Sequence, residues 1–388
     1  MQLKAGRDGD DRNDSAGRAI LMAALALPGL IGVAGAAHAD SAPEQGSISL
    51  NYLDYRDWQP GLDRIKVHTP AIDVLAPVAG VWAVQASLVS DIISGASPRY
   101  HTAISGASSM SDHRVAEDVG LTRYFPQGTI NAGFAHSGEN DYQSRAFSFG
   151  GSLSTEDKNT TGHAGIGVSN DTINPVNQVV NDAKKHTLEL MLGVTQILTQ
   201  NDIVQADLGH VIEQGYLSDP YKFLDNRPDE RSRNTLLLRW NHHFEGSDGT
   251  GRFSYRYYTD TWEIRAHTFA FEYVQPFSQG WTVTPSARYY TQSAASFYFD
   301  PDYDPNYGPP VPLGYVFGSV SSPDQRLSAF GAATLGLKVE KAVARDVQIS
   351  FKFEQYEQRC DWRLFGSGSP GLAPLYARVL QLGIVKTW

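Results

Sequence analysis

The sequence predicts an all-β protein, specifically a transmembrane antiparallel up-and-down β-barrel of about sixteen strands. Within residues 250–299, three consecutive segments of about ten residues each alternate in polarity. In the first, Phe253 and Tyr257 share one face, whereas Arg252 and Arg256 lie on the other. A period of two predicts strands. Because aromatic residues end the apolar face and arginines mark the opposite face, the pattern favours a barrel with a wet lumen over a soluble sandwich.

The composition fits this fold class. The chain has 388 residues, 19% of them charged, with 36 glycines, 19 tyrosines and 7 tryptophans. Its mean hydropathy of -0.32 is too polar for a bundle of membrane-spanning helices, which need roughly 20 apolar residues each. The net charge of -10 argues against a nucleic-acid partner, because such partners select a basic face. The single cysteine, Cys360, excludes an internal disulfide and a thiol pair.

The N-terminus reads as a secretory signal peptide, residues 1–39. A polar segment ending in Arg18 precedes a short apolar stretch, and Ala37-His38-Ala39 supplies a small-x-small cleavage site. We therefore predict cleavage after Ala39, leaving 40–388 as one outer-membrane β-barrel domain. The alternative is a membrane anchor, but Pro28 and several glycines interrupt the apolar stretch.

The alternating segments downstream number sixteen, with fourteen as the alternative count. They are 47–56, 63–76, 81–94, 113–124, 128–137, 142–154, 159–169, 185–198, 202–213, 231–244, 250–260, 265–275, 280–292, 327–340, 345–357 and 376–388. Short connections alternate with ones that are longer on average, such as 214–230 and 293–326, which is typical of barrels with short periplasmic turns and longer outer loops. The terminal Trp388 closes an amphipathic strand and resembles the signal recognised by the barrel-assembly machinery of Gram-negative bacteria.

Several motifs resemble a bacterial family of unknown function predicted to form outer-membrane β-barrels. The motifs are Asp91-x-x-Ser94-Gly95-Ala96-Ser97-Pro98, Gly215 to Lys222, Asn226 to Asp229, Trp240 to Phe244, Tyr255 to Tyr258, Asp260-x-Trp262 and Thr284 to Gln292. The resemblance implies a barrel in the bacterial outer membrane. It implies no activity and no catalytic residues.

The lumen is the first candidate site. The predicted inward residues with charge or imidazole groups are Arg239, His243, Arg252, Arg256, Glu272, Arg288, Lys352 and Glu354. The four arginines fall on adjacent strands and predict a basic strip on one wall. Guanidinium groups facing carboxylates create a transverse field that selects anionic or zwitterionic solutes. The alternative is that these arginines pair with lumen acids and only hold the wall together.

Two loops carry further candidates. Asp300, Asp302, Asp304 and Asn306 place oxygen ligands at every second position, which resembles the front half of a calcium loop. Prolines alternate with these residues and no glutamate follows at the expected place, so an acidic, rigid surface loop is the favoured alternative. The second loop, Ser218–Arg233, is dense in charge and predicts either internal salt bridges or closure of the pore.

Enzyme motifs are missing from the sequence. His242 and His243 point to opposite faces of a strand, and HExxH, GxSxG and P-loop patterns do not occur. We therefore expect no cofactor apart from the calcium considered above, favour a protein that is not an enzyme, and predict a channel or porin-like passage for a small solute, which is anionic if the basic strip selects it. The alternatives are a non-conducting barrel serving as a binding or structural surface, and an outer-membrane enzyme acting at the barrel mouth. The expected partners are outer-membrane lipid, the assembly machinery and the solute.

Overall fold

Sixteen strands close into one antiparallel barrel in which each strand pairs with its neighbours in the chain. The computed structural model describes residues 41–98, 107–222, 224–301, 311–312 and 314–388. The strands are β1 Ser47–Gln59, β2 Leu62–Val78, β3 Trp82–Pro98, β4 Ala107–Phe125, β5 Gly128–Gly138, β6 Tyr142–Ser154, β7 Thr160–Ile173, β8 Ala183–Ile197, β9 Asp202–Gly215, β10 Glu230–Phe244, β11 Gly249–Asp260, β12 Arg265–Phe277, β13 Trp281–Gln292, β14 Phe330–Ala342, β15 Val347–Arg359 and β16 Leu375–Thr387. Two short 3-10 segments, Ser278–Gly280 and Gln325–Leu327, lie in connections. The predicted fold class and the count of sixteen are confirmed, and fourteen is excluded.

The first and last strands complete the ring. β1 and β16 pair without a break in register from Ser47 opposite Thr387 to Trp58 opposite Tyr376. The rings of Trp58 and Tyr376 stack on the outer wall with centroids 5.8 Å apart. Closure satisfies the strand edges that an open sheet would expose.

The two faces of the wall are inverted relative to a soluble protein. On β6, the outward Phe147 is 56% exposed, whereas the inward Ala146 beside it is 2% exposed. Large apolar side chains recur outward around the ring, and small or polar ones point inward. This is the pattern of a barrel whose outer wall contacts lipid. Within the described residues, no helix has the length and apolar character needed to cross a membrane.

The barrel has a turn end and a loop end. The turn end carries both termini of the barrel and short connections such as 79–81 and 126–127; the loop end carries the connections 174–182, 216–229 and 293–329. At the turn end, the Arg123 guanidinium lies 5.0 Å from the centre of the Trp82 ring, and the Lys341 ammonium lies 4.9 Å from that of Trp281. Aromatic rings beside long cationic side chains mark a membrane interface, because the charge reaches water while the ring stays in the boundary.

A buried pair inside the wall depends on a glycine. His163 on β7 and Asp207 on β9 bond across the intervening strand, with Nε2 and Oδ1 2.7 Å apart. Gly193 on β8 lies between them in the register. A Cβ atom at Gly193 would overlap both bonded atoms. The absence of a side chain there is what allows the bond to span two strand spacings.

We expect Gly193→Ala to lower the free energy of unfolding by about 2 kcal/mol, because overpacking would push the two bonded groups apart. Denaturant titration of the refolded barrel measures the change. Gly120→Ala is the matched control: Gly120 is a glycine of β4 around which no heavy atom lies within 4 Å of an added Cβ. Equal destabilisation by both substitutions would contradict the role assigned to Gly193.

Candidate functional site: the charged lumen

The basic strip lies on the inner face of the adjacent strands β10 to β13, three of which carry its arginines. Arg239 is on β10, Arg252 and Arg256 are on β11, and Arg288 is on β13. Their chain neighbours Trp240 and Phe253 point outward and are exposed. Since side chains alternate along a strand, the four guanidinium groups project into the barrel.

Some of the predicted lumen charges have partners on the inner face of the barrel. The Lys352 ammonium lies 3.1 Å from a Glu354 carboxylate oxygen. Arg252 stands directly opposite Glu272 in the β11–β12 register. Arg239 donates to Gln205 Oε1 at 3.3 Å. These groups fit the structural-pairing alternative, in which opposite charges hold neighbouring strands together.

Arg256 and Arg288 differ from the others. Among the described residues, neither guanidinium has a carboxylate partner within ion-pair distance. The Arg256 guanidinium lies 5.5 Å from the ring centre of Tyr258, and its other electrostatic neighbours are Tyr290 and the cations Arg233 and Arg288. Like charges held side by side without a counter-ion leave a positive potential on this wall.

Carboxylates line the opposite wall. Asp73 on β2 and Asp118 on β4 both stand opposite Ser87 of β3, so the three form one row across the strands. Asn51 Nδ2 donates to Asp73 Oδ2 at 3.2 Å, and the Ser87 hydroxyl donates to Asp118. Within the described part of the chain, neither aspartate has a lysine or arginine partner. In a ring of sixteen strands, β3 is diametrically opposite β11.

The two walls therefore face one another with opposite charge. A guanidinium group is the longer side chain and reaches toward the axis, whereas the aspartates are short and remain at the wall behind their hydrogen bonds. A transverse field of this kind orients and discriminates charged solutes as they pass.

The basic wall was predicted from the sequence, but the acidic wall was not. Glu272 and Glu354 were predicted to point inward with the arginines; Glu272 lies on β12 of the basic side, whereas Glu354 lies on β15, four strands from both β11 and β3. The signal for Asp73 and Asp118 was available, because both occupy inward positions of the alternating pattern. Finding them as a facing pair required knowing which strands lie eight places apart.

Small side chains line a third sector, on β5 to β7. The inward positions there include Gly133, Ala135, Ser144, Ala146, Gly150, Gly165 and Gly167. Ala135, Ser144 and Ala146 are at most 3% exposed, so other side chains cover them and the inner wall of this sector is packed. This sector lies between the acidic strands β2 to β4 and the basic strands β10 to β13 on one side of the ring.

Two loops form a clamp over the loop end. The clamp comprises the described residues 216–222, 224–229, 293–301 and 314–329 of these loops, and its centre is Asp324, whose side chain has 0% exposure. Arg227 Nη2 lies 2.7 Å from Asp324 Oδ2, and Arg326 Nε donates to the same oxygen at 2.8 Å. Arg326 also bonds Asp219 Oδ2 at 2.6 Å. Burial by itself would raise the pKa of Asp324, but Arg326, Lys222 and Arg227 outweigh it and hold that pKa well below its ordinary value.

The clamp rests on an apolar cluster of Trp262, Ile264, Ala295 and Leu327. The Arg231 guanidinium stacks 4.0 Å from the Trp262 ring centre and bonds Asp260 at 2.6 Å. The predicted salt bridging within Ser218–Arg233 is confirmed by Arg227 Nε, which lies 2.9 Å from Asp225 Oδ2. Packing and ion pairs together fix the two loops at the mouth.

The remaining candidates stand apart from the lumen charges. His243 lies at the turn end, with Nδ1 3.4 Å from Thr250 Oγ1. Of the calcium candidates, Asp300 accepts a hydrogen bond from Tyr298 at 2.8 Å, whereas Asp302, Asp304 and Asn306 lie outside the described residues. In the described part of the chain, no group of three or more His, Cys, Asp or Glu side chains could hold a metal ion. The calcium loop stays a prediction.

The first of the following solved structures supports the fold, and the other two are further structures to which the chain is similar. A structure described as "Bacterial polysaccharide outer membrane secretin" matches with a TM-score of 0.52 and 8% sequence identity, over 88% of this chain and 98% of that chain. A "CymD monoaromatic hydrocarbon channel" matches with a TM-score of 0.44 and 9% identity, over 89% of each chain. OccK2 (OpdF) of Pseudomonas aeruginosa matches with a TM-score of 0.42 and 9% identity, over 88% of this chain and 97% of that chain.

Comparison by sequence gives the family. No curated protein matches the chain. A family description matches residues 100–375, which include most of the motifs on which the resemblance rests. Because this match covers well over half of the chain, the protein belongs to the family described as "Protein of unknown function (DUF3570)".

Proposed function

We propose that the protein is an outer-membrane channel for small solutes that carry an anionic group, zwitterions included. The signal peptide 1–39 directs the chain across the inner membrane, and the barrel-assembly machinery inserts residues 40–388. The turn end then faces the periplasm and the loop end faces the exterior, as in barrels with short turns on one side. A barrel of sixteen strands is wide enough for an aqueous passage.

One observation carries the proposal: Arg256 and Arg288 lack a carboxylate partner among the described residues, and they face Asp73 and Asp118 across the lumen. A wall that needed charge only for its own stability would neutralise its arginines locally, as Lys352 and Glu354 do. Uncompensated guanidinium groups carry a desolvation cost, so their retention in the lumen favours a role toward a passing solute.

We expect the refolded mature chain, starting at Asp40, to conduct steadily in planar bilayers and to prefer anions. Arg256→Ala and Arg288→Ala should each reduce that preference, because each removes one positive charge from the lumen. The reversal potential under a potassium chloride gradient measures it. A folded barrel that stays silent at all voltages would overturn the channel.

The loop clamp favours a second candidate, a barrel that does not conduct and presents its loop end as a binding surface. The buried ion pair of Asp324 with Arg227 and the more exposed pair of Arg326 with Asp219 join the two loops of the clamp over the mouth. Conductance of the unmodified chain separates the two candidates, because a sealed barrel passes no ions whatever its lumen charges.

A further inference from the structure

A continuous polar row crosses the outer wall near the loop end. Successive strands β4 to β10 place directly opposed, outward residues in register along it. The row consists of Glu117, His136, Arg145, Asn170, His186, Gln214 and Glu230. We call these residues the polar row.

The polar row lies immediately above an apolar one. On strands β4 to β9, the outward residue two positions closer to the turn end is apolar. These residues also stand opposite one another in register: Val119, Phe134, Phe147, Val168, Leu188 and Ile212. Phe134 and Phe147 pack with ring centroids 5.0 Å apart and are exposed on the outer wall. The change from apolar to polar over one step of the pleat marks the level at which hydrocarbon gives way to lipid headgroups.

Within the polar row, three neighbouring pairs bond one another. His136 Nδ1 lies 3.6 Å from Glu117, His186 Nδ1 lies 2.6 Å from Asn170 Oδ1, and Gln214 donates to Glu230 at 3.2 Å. These three pairs account for six of the seven residues.

Arg145 is the seventh. Its side chain is exposed, and among the described residues its guanidinium has no hydrogen-bond or ion-pair partner. The Asn170 amide lies directly across from it in register, and because its oxygen accepts from His186, its Nδ2 group is available to donate. Just above, Lys184 bonds Thr172 at 3.1 Å and Asp182 at 2.6 Å. Arg145 and Asn170 thus present a forked cation beside an amide donor at headgroup level.

We propose that Arg145 and Asn170 form a binding site on the outer wall for the phosphate of a phosphorylated membrane lipid. A guanidinium fork matches phosphate geometry with two parallel N–H···O bonds, and the Asn170 amide supplies a third donor. Charge complementarity identifies the occupant, because Arg145 is the one arginine or lysine of the polar row and its register neighbours, His136 and Asn170, are not carboxylates. The apolar row below would contact the acyl chains of the same lipid. The proposal rests on the placement of the barrel in a membrane, and not on conductance.

We expect Arg145→Gln to weaken binding of diphosphorylated lipid A about tenfold, which corresponds to about 1.4 kcal/mol. The probe is titrated into the mature barrel in neutral detergent, and bound lipid is counted by native mass spectrometry. Dephosphorylated lipid A should bind the unmodified protein and Arg145→Gln equally, because the lost bonds are to phosphate.

Arg56→Gln is the matched control. Arg56 also points outward near the loop end, but its Nε lies 3.1 Å from Asp54 Oδ1, so a carboxylate already occupies one edge of its guanidinium. We expect this variant to bind diphosphorylated lipid A as the unmodified protein does. Equal affinity of Arg145→Gln and unmodified protein for that probe would overturn the site. Since Arg145 faces away from the lumen, conductance should be unchanged in Arg145→Gln, which keeps this test separate from that of the channel.

Discussion

Exchanging both Arg256 and Arg288 for glutamate is expected to convert an anion-preferring lumen into a cation-preferring one. The double substitution changes the lumen charge by four units at one level of the ring. The opposite wall already carries Asp73 and Asp118, so the solute would meet carboxylates on both sides. We expect the reversal potential under a salt gradient to change sign.

The physical reason is that neither arginine has a local counter-ion to absorb the change. Among the described residues, the near neighbours of Arg256 are tyrosines and other cations. Removing such a charge takes away a repulsion rather than an ion pair. The barrel should therefore still fold, and its gel shift on heating provides the check.

Lys352→Glu combined with Glu354→Lys is the control for this experiment. Both side chains also face the lumen, and their charged groups lie 3.1 Å apart. Exchanging them leaves the lumen charge unchanged, so we expect the reversal potential to stay close to that of the unmodified protein. A shift as large as that of the arginine double substitution would show that the unpaired arginines do not set the selectivity.

The fold could be predicted from the sequence because its signal is local. Alternation with a period of two occurs in all sixteen strands, because in each strand one face contacts lipid and the other faces the lumen. The terminal Trp388 and the alternation of short and longer connections then indicated where the last strand ends and which end of the barrel carries the short turns. The structure moves individual strand ends by a few residues; for example, β14 runs over Phe330–Ala342 where 327–340 was predicted.

The site could be predicted only in part, because its decisive contacts are not local. Arg256 and Arg288 were identifiable from their inward positions, but whether they pair depends on neighbours across several strands. Asp73 and Asp118 can be recognised as a wall facing the arginines only once β3 is known to lie opposite β11 in the ring. Asp324 is further removed still: it lies in the loop 293–326, and its partner Arg227 is 97 residues away in sequence. No periodicity reports a contact of that kind.

Replacing Asp324 by alanine is expected to release the clamp at the mouth of the barrel. Removing one partner of a buried ion pair costs about 3–5 kcal/mol, because the other charge is left without compensation. Arg227 is the buried partner, with 11% of its side chain exposed, whereas Arg326 is 58% exposed and can turn to water. We therefore expect Asp324→Ala to lower the free energy that holds the two loops together by about 3 kcal/mol. The effect should be confined to the loops, because the strands do not depend on this ion pair.

Limited proteolysis and single-channel recording detect the release. Loops 216–229 and 293–329 should become susceptible to cleavage, and conductance should rise. Asp182→Ala is the matched control at the loop end: Asp182 pairs with Lys184 at 2.6 Å but is 68% exposed. A pair of that kind contributes at most about 1 kcal/mol. Unchanged cleavage in Asp324→Ala would show that the apolar cluster under Trp262 holds the loops without the ion pairs.

The pH dependence of the clamp follows from the same aspartate. Because Arg326, Lys222 and Arg227 overcome the effect of burial, the pKa of Asp324 is lower in the folded clamp than in the free loop. The stabilisation that ionised Asp324 gives the clamp is complete at pH values above the ordinary aspartate pKa of about 3.9. It is lost as the pH falls toward the lower pKa that Asp324 has in the folded clamp. The unmodified protein should thus keep its loops closed at pH 5 and open them only in strongly acidic buffer. Asp324→Ala should be open already at pH 7 and should not respond to acid, since the group that senses the proton is gone.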